Sequence, residues 1–425
     1  MLDCVQFAGS DCATPHGAAQ AGETMGSVMK IARLAAATAA VSLLAGCTTV
    51  TAGDATKDPS FKPGDAIVSL LNPGNYPAAP KPGPAMKPGA ESGRLIDAER
   101  LGEFVVGPWE VDPSLISIGV DVTGVYLDAN GLGSVEPGPM KQIAKDHQLV
   151  NGFGSGRGTV RGADDTNGLV ILVLRFPTAD LANDAARQFA AQAPAIDRAS
   201  PNQQIPIPGH PEALAHQSTQ FDGIFTVTSY TPHGPYVIYQ YATSDKALDT
   251  ATQLIAKSLD LQASRIDGFH PTDPAQFAIM QTDPEGLLSR TVPTKEHIGN
   301  QGLWGPRGIV HYDDDPIQAS AALTAAGVDV ISVRGTHLYR AKDAAAATQL
   351  AQKFGEPDGR NPTEPGPTVA GLPSAKCQAI DAAAVKARIY SCSAALDRWV
   401  YTASSLQPFD ATQRMASQYL LLTAK

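Results

Sequence analysis

Residues Leu34 to Cys47, LAAATAAVSLLAGC, form an apolar run without a charge, preceded by Lys30 and Arg33. At about 1.5 Å per residue such a helix falls short of the roughly 30 Å of hydrocarbon in a bilayer, so the run is not a permanent span. Positive charge before it and small residues at its end are the flanks of an export signal. Everything downstream is then expected to fold outside the cytosol, where disulfides persist. The competing reading, an alanine-rich core helix ending in a buried free cysteine, needs the charge, the small residues and the following Pro/Gly-rich stretch to coincide by chance.

The end of the run, Leu44-Ala45-Gly46-Cys47, resembles the lipobox of bacterial lipoprotein signals. The resemblance implies that the Cys47 thiol takes a diacylglyceryl group and that cleavage leaves Cys47 first. Two acyl chains give stable anchoring where one does not. Residues 1–28 carry Asp3, Asp11 and Glu23 where such a signal should be positive. They are expected to be a spurious or dispensable extension before Met29, with 29–46 as the signal peptide. Residues 47–91, with eight prolines from Pro59 to Pro88, sustain neither a helix nor a sheet interior and read as a disordered tether.

Composition removes some partners. With 42 acidic against 32 basic residues the net charge is -10, and no basic patch is visible, so nucleic acid is not expected. The membrane is expected to be reached through the lipid anchor and not through a polybasic segment. Of five cysteines, processing leaves Cys47 and the pair Cys377 and Cys392. If their segments form an antiparallel hairpin, the register that sets Cys377 opposite Cys392 also sets Ile380 opposite Ile389. A structural disulfide is expected, because a redox pair would favour a CxxC spacing.

Hydrophobic periodicity organises the remainder into an α+β fold of two tandem related domains, 92–265 and 302–425, joined by a connecting segment 266–301. Each is expected to be an antiparallel sheet with helices packed mainly on one face. Both halves run helix, strand, helix, proline-rich loop, three strands, helix. In the first these are predicted at 94–106, 168–176, 180–193, 212–218, 224–230, 236–242 and 248–259. In the second they are predicted at 316–326, 328–339, 343–354, 377–380, 387–393, 399–403 and 411–422. The closing helices share Thr252-Gln253 with Thr412-Gln413, and Ile255-Ala256 matches Met415-Ala416 at the same offset. The pattern suggests an internal duplication.

Chemistry is hard to find. The run Gly152 to Gly158 lacks the Gly-Lys-Ser/Thr ending of a phosphate loop and reads as a surface loop. There is no HExxH, Ser155 is not in GxSxG, and the SxxK at Ser27 to Lys30 lies before the apolar run. His311-Tyr312-Asp313-Asp314-Asp315 gathers an imidazole and three carboxylates, but it precedes Pro316 as a helix cap would. His210 and His216 lack metal-ligand periodicity, and His233 sits in a turn. No catalytic residue, metal or cofactor is therefore expected. Tyr236, Tyr239 and Tyr241, with Trp399 and Tyr401 in the matching strand of the second half, are the candidate lining of a ligand groove.

Several phrases carry a family resemblance: Gly74-Asn75-Tyr76-Pro77, GPWEVDP from Gly107, IPIPGHPEA from Ile205, HGPYVIYQ from His233, DPEGLLSRTVP from Asp283 and Gln418-Tyr419-Leu420-Leu421. They are similar to uncharacterised envelope lipoproteins of mycobacteria, nocardiae and rhodococci. The resemblance implies a location at the extracytoplasmic face of the cell membrane and supplies no active site. The expected function is a non-enzymatic, lipid-anchored module that binds a ligand, an envelope lipid or a protein. The alternatives are an envelope hydrolase with an unfamiliar site, which needs a deep pocket with converging ionisable groups, and a cell-wall lipid carrier, which needs a continuous apolar cavity.

Overall fold

Six apolar residues in a row, Leu169 to Leu174, form the middle of a strand covered on both faces, as a continuous aliphatic run requires. This is β3 (Asn167–Arg175), the centre of the first sheet. The computed structural model describes residues 65–81, 83, 85–118, 122–135, 139–160, 162–192, 202–220, 222–294, 299–383 and 386–424. Cys47, the 29–46 signal and the 1–28 extension lie outside the described residues.

The first domain comprises α1 (Ala90–Gly102), α2 (Pro108–Val111), β1 (Gly124–Tyr126), α3 (Met140–Asp146), β2 (Asn151–Gly158), β3, α4 (Ala179–Ala191), β4 (Gln203–Ile207), β5 (His210–Thr219), β6 (Phe225–His233), β7 (Tyr236–Ser244) and α5 (Leu248–Ile266). The second comprises β8 (Gly302–Trp304), α6 (Pro306–Ile309), α7 (Pro316–Ala326), β9 (Val330–Val333), β10 (His337–Arg340), α8 (Ala344–Phe354), β11 (Thr363–Pro365), β12 (Lys376–Ala382), β13 (Ala387–Leu396), β14 (Trp399–Ser405) and α9 (Pro408–Thr423).

Among the described residues these strands make two seven-stranded antiparallel sheets, ordered β1-β2-β3-β7-β6-β5-β4 and β8-β9-β10-β14-β13-β12-β11. Shifting every label by seven turns one order into the other. The α+β class, the antiparallel sheets and the tandem domains are therefore as the sequence suggests. Helices cover both faces of each sheet, a wider distribution than the expected one-sided layer. In the first sheet Val237 and Tyr239 pack with α4 while Ile238 and Ala242 pack with α5. Period-two alternation along β7 forces this division.

Cys377 pairs with Cys392 and Ile380 with Ile389 in the β12–β13 ladder. The two sulfur atoms are 2.04 Å apart, forming a disulfide across neighbouring strands.

Two sequence expectations are corrected here. Gly152 to Gly158 is not a surface loop but β2, buried along nearly all its length and paired with β1 and β3. Glycines alternate with Phe153, Ser155 and Arg157, so the larger side chains share one face. The glycine face admits its neighbours closely: a methyl at Gly154 would stand 2.7 Å from the Val122 carbonyl oxygen and 3.0 Å from Tyr126.

The second correction concerns the tether expected over 47–91, because the chain is already packed from about residue 67. Ile67 N–H donates to the Gly371 carbonyl at 2.7 Å, and Ser417 Oγ to the Pro77 carbonyl at 2.6 Å. Tyr76 donates to Asp410 at 2.5 Å and lies under the Arg414 guanidinium. Prolines exclude helix without excluding an extended strap, and Tyr76 and Leu71 supply what the strap needs to adhere to α9.

The domains share one apolar cluster that joins Leu101, Phe153, Ile238 and Ile255 to Trp304, Ile331, Leu350 and Val400. Its polar fastening comes from β2. The Arg157 guanidinium donates to the Ile116 carbonyl at 3.0 Å and, across the boundary, to the His311 and Asp313 carbonyls at 2.7 and 2.8 Å. Ser155 Oγ lies 2.8 Å from His311 Nδ1. Burial holds the His311 imidazole down at about 4, with Glu110 opposing the shift and Arg157 adding to it, so it is neutral at pH 7.

Helix α1 completes the joint. Its Glu103 carboxylate accepts from the Arg307 and Gly308 amides at the start of α6. One turn earlier Glu99 is only 1 % exposed, and burial pushes its carboxyl well above the ordinary range, against the Leu303 amide.

Two outcomes follow. Gly154→Ala should destabilise by about 1–3 kcal/mol through overpacking, while Gly299→Ala, which meets nothing within 4 Å, should stay within about 0.5 kcal/mol in denaturant unfolding. The raised Glu99 carboxyl means that the folded state holds a proton the unfolded chain releases, so its contribution is full at acid pH and lost as pH rises through the folded value. Glu99→Gln should therefore stabilise at pH 8 by on the order of 1–3 kcal/mol, and by little at pH 4. An equal effect at both pH values would contradict the assignment.

Candidate ligand-binding cleft

The five aromatic residues expected to line a groove are not brought together. Tyr236 is buried in the cluster on the α5 face, while Tyr239 is buried on the opposite face against Tyr230, ring centroids 5.4 Å apart. Tyr241 shares the Tyr239 face and accepts from Gln220 at 2.8 Å. Tyr401 is fully buried under α9, with Trp399 half-buried beside it. Aromatic side chains on two-sided sheets fill cores, and these do so.

The His311 to Asp315 segment is also divided. His311 turns into the domain joint. Asp313 accepts from the Asp315 amide at 2.8 Å, and Asp315 caps α7 by accepting from the Gln318 amide at 3.0 Å. Among the described residues no group of three His, Cys, Asp or Glu side chains is placed to hold a metal ion. His210 bonds Glu212 and Asp260, and His233 bonds Asp267 at 2.7 Å.

A cleft opens instead in the second domain, where α7 packs beside α8 and α8 packs on the sheet. Alanine is abundant on both helices, so little bulk fills the space between them. A furrow of about 330 Å³ runs between Ala321, Ala322 and Ala325 of α7 and Ala346, Leu350 and Lys353 of α8. It shares Gln318, Ala322 and Lys353 with a second hollow of about 290 Å³, bounded by Asp315, Phe354, Arg360, Ile380 and Ser391. That hollow shares Asp313, Ala319 and Phe354 with an inner chamber of about 60 Å³ reaching His337 and Tyr339. The three spaces are thus neighbours with shared walls: an apolar furrow, a hollow with charged residues at its rim, and a small hollow of mixed lining.

Strand β10 builds the interior. His337 and Tyr339 are two residues apart on one face, opposite Thr402 and Val400 of β14. His337 Nδ1 lies 3.2 Å from the Tyr339 hydroxyl, and Tyr339 is also bonded to Thr402. Burial lowers the His337 imidazole to about 4 and raises the Tyr339 phenol, so both groups are neutral at physiological pH. The matching layer of the first domain, beneath α3 and α4, is filled by Phe176, Phe189, Tyr230 and Tyr239. The His-x-Tyr alternation in a short strand was the available signal for this site, but nothing local marks its exposure to a cavity.

The Asp315 cap yields a direct check. Asp315→Ala should lower stability by about 1 kcal/mol. Millimolar calcium or magnesium should shift the melting temperature of neither protein, whereas a metal-dependent rise in the wild type alone would restore the cation reading.

Residues 85–282 match the N-terminal part, and residues 287–425 the C-terminal part, of DUF7373, a domain of unknown function. The break between the matches falls inside the connecting segment. No curated protein sequence matches the chain. Among solved structures, the extracellular domain of PknH from Mycobacterium tuberculosis aligns with 38 % of this chain and 94 % of that one, at 16 % identity and a TM-score of 0.27. With both parts of the family matched in order from residue 85 to residue 425, the chain belongs to the DUF7373 family.

Proposed function

We propose that the protein is a lipid-anchored binding module on the extracytoplasmic face of the cell membrane, of the mycobacterial and nocardial type, and that its ligand occupies the cleft of the second domain. The cleft is the observation that carries the reading. It sets an apolar furrow beside hollows that carry a few polar groups, the composition expected of a small-molecule site. Its lining favours binding over catalysis. His337, the imidazole in it, bonds a tyrosine hydroxyl and no nucleophile, and its depressed proton affinity makes it a poor general base at neutral pH. The Ser155–His311 pair, which resembles a nucleophile beside a base, is buried in the domain joint.

The anchor rests on the Lys30 to Cys47 segment, and the disulfide fits an oxidising compartment. Among the described residues no helix is long and apolar enough to cross a membrane.

Native mass spectrometry of residues 48–425, purified from the protein's own host, tests the cleft. The wild type should retain a ligand that Ala322→Trp, which fills the shared passage, does not. Equal retention in both, or no bound species in either, would remove the cleft from the account. For the anchor, labelled palmitate should enter the full chain and Cys47→Ala should move it to the soluble fraction; unchanged membrane fractionation would contradict lipidation.

A further inference from the structure

Among the described residues ten large apolar side chains stand exposed, and five of them, Ile67, Val68, Leu70, Leu406 and Phe409, belong to the strap and to the approach to α9. Phe409 is 81 % exposed and Leu406 61 %, more than a scattered surface residue needs to be. The strap's first turn, Val68–Leu70, buries none of its residues. Gly74 stands against the Gln413 side chain and the Pro77 carbonyl accepts from Ser417, so the strap follows α9 in the direction of the helix. Traced backwards it leads toward the start of α9, where Phe409 precedes the Asp410 that Tyr76 bonds. Ile67 and Leu70 are seated there against Gly371.

The course of the chain indicates what covers these side chains. Residues 47 to 65 span no more than about 60 Å even at full extension. The Ile67 amide fixes the point from which that distance is measured, by its bond to the Gly371 carbonyl. A bilayer holding acylated Cys47 therefore lies within reach of the end of the domain where the strap begins. Charge selects the mode of contact. Residues 65–77 and 404–413 contain no Lys or Arg, and of their two carboxylates Asp410 is engaged by Arg414 at 2.8 Å and by the Tyr76 hydroxyl. Such a surface gains nothing from anionic headgroups and adheres by burying Leu and Phe side chains.

We propose that Leu406 and Phe409, beside the strap's first turn, form the face on which the protein rests on the bilayer that holds its anchor, with Phe409 inserted below the headgroups. The proposal rests on lipidation of Cys47 and adds an orientation to it. Leu338 packs toward α9 and its neighbour Tyr339 toward the cleft, so cleft and membrane contact belong to opposite faces of the sheet.

The test uses residues 47–425, which carry the whole compact unit 60–425 and, with Cys377 and Cys392 bonded, one free thiol. Cys47 is coupled to maleimide-bearing phosphatidylcholine vesicles, so attachment does not depend on acylation in the cell. Indole emission of Phe409→Trp, less the wild-type signal, is compared with and without brominated acyl chains. Ile279→Trp, 79 % exposed in the connecting segment, is the control. Bromolipid should quench the indole at 409 about twofold or more and leave that at 279 unchanged, because only an inserted ring reaches the acyl region. Leu406→Asp in the Phe409→Trp chain should abolish the quenching without moving the melting temperature, and added phosphatidylglycerol should not strengthen it. Absence of quenching at 409, or equal quenching at 279, would overturn the assignment. So would a dimer of residues 48–425 that Phe409→Asp dissociates, since a second copy would then be the occupant. Palmitate labelling is read separately: label without quenching removes this face and leaves the anchor.

Discussion

The structure turns on one guanidinium. Arg157, at the end of a glycine-rich strand in the first domain, donates to two carbonyls of the second, those of His311 and Asp313. Carbonyls cannot be supplied by a change of side chain, so the fork fixes the path of the chain between α6 and α7 whatever its sequence. A charge-assisted bond to a buried carbonyl is worth more than a neutral one and costs more to leave unmade. Around the fork lie Phe153, Trp304 and the neutral His311 imidazole, which make the boundary between domains a continuation of the core. The segment so held supplies Ile309, Val310 and Asp313 to the wall of the small hollow beside His337 and Tyr339, so the first domain acts on that wall through the backbone it holds.

The two sheets show how one connectivity serves two purposes. In the first domain the layer beneath α3 and α4 is closed by tilted aromatic contacts, Phe176 against Phe189 and Phe189 against Tyr230. In the second, α7 and α8 carry alanine along the furrow, and β10 offers a histidine and a tyrosine. A domain that packs its helices with small side chains forgoes dispersion contacts, and the space left is available to a ligand. The stability forgone is recovered elsewhere: the strap at Ile67 to Pro77 covers α9, the disulfide ties β12 to β13, and the shared core backs the sheet.

Much of the architecture was legible in the chain. The aliphatic run at β3, the helices α4, α5, α7, α8 and α9 and the register of Cys377 against Cys392 follow from periodicity that local residues carry. Three features were hidden for physical reasons. Strand β2 was obscured by glycines, whose low strand propensity hides the alternation of Phe153, Ser155 and Arg157. The strap was concealed by prolines, which mark loss of regular structure and say nothing about packing. The cleft escaped notice because it is made by absent bulk on α7 and α8 and by two β10 side chains whose surroundings come from distant elements. The aromatic residues drew attention to themselves by size, and size is what buried them.

On this account the domains are one folding unit, with α1, β2 and the 310–313 segment forming a joint as well packed as either interior. Calorimetry of residues 48–425 at pH 7 addresses this directly. A single transition is expected, with calorimetric and van't Hoff enthalpies that agree. Two resolved transitions, with one surviving unchanged when Arg157 is replaced by glutamine, would show two domains that merely touch and would contradict the account.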